Sequence, residues 1–376
     1  MIWWLFPTTW SQIVLSVVSA YLTIQISIAI LIRRSDIPAA SSPPSPLQVL
    51  IPFRNEAPYL RKLIHSLRTQ TIRLIPIFGD DGSEDESVSV IHSAMHGEMP
   101  IIRKVPSTAH QLFPGKHAVL VFLEGEINSE IFFIADADMS FPPTWAEALR
   151  NALICDPGLG GVCAPSLPQA KTIWESFQRI EWASVLYLIA ASRSIGWIPT
   201  AIGNSMAVKR AAWACVGGWK SLPPTLVEDY EMMRALQKAG WRFEWVFHPE
   251  VLGETRAEPS YERWIHQRLR WRQAVREVPP LSAGYWILQS LTPWMMITSG
   301  SWAALACIGA IWTAAELLPM WRFREVVKAR KVLRYLPLLL AYRFIQGLWL
   351  LWLSMSKRPI YWRERWHMKE RLSALR

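Results

Sequence analysis

Four short clusters in this chain have the residue types and spacing to carry polar chemistry. They are Asp80-Asp81-Gly82-Ser83, Asp136-Ala137-Asp138, Val227-Glu228-Asp229 and Gln267-Arg268-Leu269-Arg270-Trp271. The second is the sharpest. Asp136 and Asp138 follow the apolar run Ile131 to Ala135, which reads as a buried strand. On extended backbone, residues two apart point to the same side. Carboxylates so placed repel one another unless a cation neutralises them. Mg2+ or Mn2+ suits such a pair, since both ions take oxygen ligands and bridge to diphosphate oxygens. Beside a departing diphosphate the ion offsets developing charge. A solvated strand end is the plainer alternative.

The other clusters each allow two readings. Asp80 and Asp81 end an apolar strand, where a carboxylate accepts hydrogen bonds from a base N–H or a ribose hydroxyl. Gly82 permits the tight turn. DDGSEDES (80–87) also has the composition of an Asx turn that caps a helix. Pro52, Arg54, Asn55 and Glu56 leave the end of the preceding strand and face the same region. Glu228 and Asp229 open a helix. They either match its dipole, or Asp229 takes a proton from an attacking hydroxyl. In the fourth cluster, Arg268 and Arg270 suit phosphate oxygens, and Trp271 suits stacking. A basic interfacial helix ahead of a membrane segment has the same composition.

Elements must bring these clusters together. QVLIPF (48–53) and LIPIFG (74–79) read as strands, and residues 56–70 as a helix with Leu60, Leu63, Ile64 and Leu67 on one face. Helices follow at 87–95 and 117–127, and a strand at 131–136. This alternation predicts an α/β domain with a mainly parallel central sheet. Thr172 to Trp197 is amphipathic through Trp174, Phe177, Ile180, Trp182, Leu186 and Ile189. It fits a core-facing helix or one lying in a membrane surface.

The flanks differ in character. Residues 1–32 hold no charged side chain, and Arg33-Arg34 follow at once. This predicts a transmembrane anchor over 1–34 with the rest on the cytoplasmic side. Residues 35–46, SDIPAASSPPSP, form a stiff linker. Residues 285–318 and 335–355 are apolar, and basic runs cover 322–334 and the tail after Lys357. The expected division is therefore a catalytic domain over 47–280 and a membrane and basic interfacial region over 281–376. The chain has 22 Trp, 51% hydrophobic residues and a net charge of +10. An anionic leaflet is the simplest partner for that charge, and no nucleic-acid motif is present. Cys155, Cys163, Cys215 and Cys307 form no CxxC pair, which argues against zinc and a disulfide framework.

Taken with their order, the motifs resemble those of membrane-bound family 2 glycosyltransferases, such as cellulose and hyaluronan synthases and ceramide glucosyltransferases. The family pattern is an aspartate pair, a DxD, an (E/T)D pair and Q(Q/R)xRW. Here it matches Asp80 and Asp81, Asp136 and Asp138, Glu228 and Asp229, and Gln267, Arg268, Arg270 and Trp271. Gly115-Lys116 and the segment GNSMAVKRAAW (203–213), with Asn204, are also similar to family segments. The resemblance covers roughly 47–275. It implies a GT-A fold flanked by transmembrane helices, a nucleoside-diphosphate sugar donor, Mg2+ or Mn2+, and an inverting mechanism. By the same mapping Pro52, Arg54, Asn55, Glu56, Asp80, Asp81, Lys116 and Asp136 hold the donor. Asp138, with Asp136, holds the metal. Asp229 is the base, with Glu228 beside it. Asn204, Gln267, Arg268, Arg270 and Trp271 line the acceptor and diphosphate. The expected acceptor is a lipid or small membrane-associated molecule, and the expected location a bacterial inner membrane with the catalytic domain cytoplasmic. The alternatives are a processive polysaccharide synthase and a non-catalytic membrane scaffold.

Overall fold

The computed structural model describes residues 8–39, 46–274, 280–297, 302–326, 337–338, 341–342, 360–362 and 365–367. Its first helix, α1 (Thr8–Leu31), carries no charge. Within it, Gln12–Leu31 is long and apolar enough to cross a bilayer, alone among the described residues in meeting that standard. Strand β1 (Leu47–Phe53) has all seven residues buried. Continuous burial of this kind marks a central strand covered on both faces. Helix α2 (Ala57–Arg68) turns Leu60, Leu63, Ile64 and Leu67 inward, as their spacing predicts. Next come β2 (Leu74–Asp80), α3 (Ser87–Ala94), β3 (Ile101–Lys104), α4 (Gly115–Leu123) and β4 (Ile131–Ala135).

The chain continues through α5 (Trp145–Cys155), β5 (Leu159–Cys163) and β6 (Ser166–Pro168). Helix α6 (Ile173–Arg193) starts at a capping box in which Thr172 and Glu175 satisfy each other's backbone N–H. After it stand β7 (Ser205–Lys209), α7 (Arg210–Cys215), α8 (Glu228–Lys238), β8 (Arg242–Trp245), β9 (Gly253–Thr255) and α9 (Tyr261–Ala274). Helices α10 (Pro280–Ile297) and α11 (Trp302–Phe323) and strands β10 (Ile360–Trp362) and β11 (Arg365–His367) complete the described chain.

The main sheet has the order β3-β2-β1-β4-β7-β5-β8. Strand β1 runs parallel to β2 and β4, β2 to β3, and β5 to β8. Strand β7 is antiparallel to both its neighbours. The sheet is therefore mainly parallel, as expected. The register pairs Phe53 with Asp80, so residues 54–56 and 81–85 leave the sheet side by side. Helix α4 approaches β2 closely at Gly79, where an added Cβ would lie 2.5 Å from Val119 Cγ1. Trp145 packs under the end of β4, stacked on Phe141, and its Nε1 donates to Ser205 Oγ at 2.9 Å.

The chain forms two units. One comprises Arg34–Gln169, Thr200–Ala274 and Lys357–Arg376, and holds the sheet. The other comprises Met1–Arg33, Ala170–Pro199 and Val275–Ser356. Residues 170–199 lie inside the stretch expected as one catalytic domain, yet they pack in the helical unit. There α1 lies against α6, α10 and α11. The core-facing alternative for the 172–197 helix fits what is seen: Ile180, Leu186 and Ile189 are buried, and so are Gln178, Arg179 and Glu181. The apolar run expected at 285–318 falls into two helices, α10 and α11. The run at 335–355 lies almost wholly outside the described residues, as do most of 322–334 and the basic tail after Lys357 apart from β10 and β11.

The helical unit also buries a polar network. The Tyr21 hydroxyl donates to Glu316 Oε1. Gln25 Nε2 donates to the hydroxyls of Tyr21 (2.6 Å) and Tyr285 (3.2 Å). Gln289 Nε2 donates to Tyr285 (3.1 Å) and to Glu316 Oε1 (3.2 Å). These groups sit on α1, α10 and α11, and each bond ties one helix to another or stiffens one turn.

Candidate active site

The first two strands deliver a braced pair of loops. Asn55 adopts a positive φ of 52°. Its N–H donates to Ser83 Oγ at 3.1 Å, and its Oδ1 accepts from Glu84 N at 2.8 Å. Asp80 Oδ1 accepts from Ser83 N at 2.8 Å, three residues on, while the Asx turn that the composition allowed is made by Asp85, whose Oδ1 accepts from Ser87 N at 2.9 Å. Gly82 takes the positive φ expected, 75°. Asp81 instead meets His110 Nε2, from the segment before α4. Pro52 is buried in β1 and Arg54 is half-buried. Glu56 is wholly buried; its N–H donates to Ser87 Oγ at 2.8 Å. Asp80, through Ser83, and Glu56, through an ion pair with Arg256 at 3.4 Å, thus spend their side chains, at least in part, on the protein itself.

Strand β4 stops at Ala135, and Asp136 to Met139 form a turn closed by Met139 N to Asp136 O at 3.2 Å. The extended geometry expected for Asp136 and Asp138 is therefore absent, because the chain leaves the sheet before the first aspartate. The two carboxylates meet different cations. Asp136 Oδ1 accepts from Lys116 Nζ at 2.6 Å. Asp138 Oδ2 lies 3.2 Å from Arg256 Nε. Burial raises the Asp138 carboxyl to about 6; Arg256 opposes the rise and Asp136 adds to it.

Lys116 is the hub of the cluster. Its Nζ also donates to Gly203 O at 2.8 Å and lies 3.5 Å from Glu228 Oε1. Burial alone would lower its pKa, but Asp136, Glu228 and Asp229 together hold it above the usual lysine range. One ammonium thus joins the Asp136 turn to the start of α8. Asp229 Oδ2 accepts from Gly203 N at 2.6 Å, and its Oδ1 from Tyr230 N at 2.8 Å. Burial, reinforced by Glu228, raises Asp229 to about 6, against the pull of Lys116 and Arg270. A carboxylate so poised is a proton acceptor near neutral pH. Cys163 steadies the same loop: its Sγ donates to Ile202 O at 3.3 Å and accepts from Ile202 N at 3.4 Å. Asn204 bonds to Ser166 Oγ at 3.1 Å.

The fourth motif lies on α9. Gln267 Nε2 donates to Glu258 Oε1 at 2.9 Å. Arg268 bonds to Gln267 and lies over the rings of Trp264 (5.0 Å) and Trp271 (4.3 Å). Burial raises Glu258, and Arg256, Arg270, Arg263 and Arg268 hold it back. Arg270 thus acts electrostatically on both Glu258 and Asp229. The loop with Arg256 and Glu258 is clamped to the Asp138 turn by Ser140 N to Glu254 O (2.8 Å) and Glu254 N to Ser140 O (2.9 Å). Arg256, Glu258 and His110 escaped sequence reasoning, whereas Gly203 opens the segment 203–213 already singled out. Arg256 and Glu258 sit in TRAEP (255–259), a charged pair between a three-residue strand and a helix, with no periodic signal.

The donor set fits a hard divalent ion. Asp138 Oδ1 is buried without a hydrogen-bond partner, and the carboxylates of Asp136 and Glu258 act on it electrostatically. Among the described residues no three His, Cys, Asp or Glu side chains form a metal cage. Mg2+ usually binds through one or two carboxylates plus substrate phosphates, which is what this arrangement offers.

Residues 131–355, more than half of the chain, match the family model for glycosyl transferase family group 2. The chain belongs to this family. The transferase also shares its fold with the mannosyltransferase PcManGT from Pyrobaculum calidifontis, solved in complex with GDP-Man and Mn2+. The two are 19% identical with a TM-score of 0.54, over 89% of this chain and 99% of that one. Glucosyl-3-phosphoglycerate synthase from Mycobacterium tuberculosis, solved with Mn2+, UDP-Glc and phosphoglyceric acid, is 16% identical with a TM-score of 0.41, over 61% of this chain and 78% of that one. No curated protein sequence matches the transferase. The expected class, a family 2 glycosyltransferase with a GT-A-like α/β fold, holds.

Proposed function

We propose that the transferase moves a sugar from a nucleoside-diphosphate sugar to a lipid or small membrane-associated acceptor, with inversion. The observation that carries this reading is Asp229: a carboxylate raised to about 6, fixed by the Gly203 N–H and set beside the Lys116–Asp136 pair. The acceptor O–H attacks the anomeric carbon, and its proton passes to Asp229. The bond from that carbon to the diphosphate oxygen breaks, and the nucleoside diphosphate leaves with the electron pair. Attack opposite the leaving group inverts the centre. Asp81 and the loop 54–56 face the nucleotide, while Arg270 and Arg268 supply positive charge for the diphosphate. Asp138, with Asp136, would hold Mg2+ or Mn2+, which offsets charge on the departing diphosphate when bound. The GDP-Man and Mn2+ held by PcManGT support this donor class and ion.

The apolar stretch Gln12–Leu31, the 22 Trp and the charge of +10 support an integral membrane protein with an acceptor in or near an anionic leaflet. Asp229→Asn tests the base. Transfer should fall by at least about a hundredfold, with nucleoside-diphosphate binding by calorimetry retained. Turnover at the parental rate would remove Asp229 from the chemistry. The size of the product made from labelled donor separates one-step transfer from polymer synthesis.

A further inference from the structure

Arg256 stands among three acids: Glu258 acts on it electrostatically, and Asp138 and Glu56 lie within ion-pair distance. Its Nε lies 3.2 Å from Asp138 Oδ2, and its second terminal nitrogen 3.4 Å from Glu56 Oε1. The guanidinium also lies over the Tyr59 ring, 5.1 Å from its centre. The Arg256 side chain is 21% exposed, Asp138 10% and Glu56 0%. The paired backbone bonds between Ser140 and Glu254 hold its loop against the aspartate turn. Guanidinium never loses its charge, so it competes with any cation for the carboxylate it touches. Its planar fork also fits phosphate oxygens.

We infer that Arg256 is a resident counter-ion of Asp138, which a divalent ion displaces and a diphosphate then captures. Glu56, fully buried, keeps the guanidinium paired during the exchange. Asp138 is thereby given up to the ion at little electrostatic cost, and Arg256 becomes available to the donor's phosphates. Ion and diphosphate must then bind cooperatively, each favouring the state the other needs. Without a diphosphate, Arg256 stays on Asp138 and metal binding is weak. The inference rests on the metal reading above and adds a residue that sets the order of assembly.

The test is Mn2+ binding to the full-length chain in detergent, read as loss of the free-ion EPR signal, with and without GDP or UDP. For the parental protein, either diphosphate that binds should tighten Mn2+ by about fivefold or more. In Arg256→Gln, Mn2+ alone should bind at least about fivefold tighter than to the parent, and the gain from diphosphate should shrink. Should that variant fail to fold, Arg256→Lys serves. Lysine lacks the planar fork that spans Asp138 and Glu56, so its hold on the pair is looser and Mn2+ alone should tighten there too. An unchanged or weaker Mn2+ affinity in the folded variant, with the parent binding Mn2+ normally, overturns the role of Arg256. A parent that takes up no Mn2+ with either diphosphate overturns the metal reading itself, and this inference with it.

Discussion

Asp229 shows how burial sets the working range of a single group. Its carboxyl is raised to about 6 by burial and by Glu228. Only the ionised form accepts a proton, so kcat/KM should fall tenfold per pH unit on the acid side of about pH 6. A pH–rate profile checks this, and an acid limb near the ordinary aspartate value of 3.8 would contradict it. Stability has the opposite sign. Between 3.8 and about 6 the folded chain holds a proton that the unfolded chain has released. This group's contribution to stability therefore declines as pH rises through that window. The candidates at this scale were legible because carboxylates at the ends of apolar runs stand out. Their partners were not. Lys116 reads as a donor-binding lysine, yet its ammonium is shared by Asp136, Glu228 and a carbonyl 87 positions away. Nothing in a linear pattern reports a contact at that separation.

At the scale of elements, the loop between α6 and β7 acts as a spacer between two charged groups. A Cβ on Gly203 would lie 3.0 Å from Lys116 Nζ and 3.1 Å from Asp229 Cβ. Gly203→Ala should push the base out of line and lower kcat by about ten- to a hundredfold, leaving diphosphate affinity near the parental value. Steady-state kinetics beside calorimetry decides it; an unchanged kcat would mean the loop yields without moving Asp229. The elements that sequence reasoning located best were those with room to show a period. Helix α2 repeats its apolar face over three turns, β4 is an unbroken apolar run, and β1 is interrupted only by Gln48. Strands β6 and β9 have three residues each, too few for any alternation to register. Their pairing nonetheless carries the Arg256 loop.

For the whole molecule, the polar network of the helical unit is the feature most open to measurement. Tyr21→Phe removes the hydroxyl that donates to Glu316 and accepts from Gln25. It should lower stability by about 0.5–2 kcal/mol, seen as a reduced thermal midpoint in detergent. No shift would mean the neighbouring amides take over those bonds. Sequence reasoning found the apolar flanks but not the grouping, because an amphipathic helix such as α6 suits either unit equally well until its neighbours are known. Charge and hydropathy describe segments one at a time, whereas membership of a unit depends on pairs.

The separation of Tyr21 from Glu316, 295 positions, also bears on biosynthesis. A ribosome releases α1 long before it has made α10 or α11, so the tyrosine and glutamine of the first helix wait through most of translation for their eventual hosts. Helix α6, completed midway and packed on α1 in the finished protein, is the earliest helical companion that α1 meets. The order of synthesis thus puts the sheet domain's strands into a nascent chain whose outermost helices are still looking for each other.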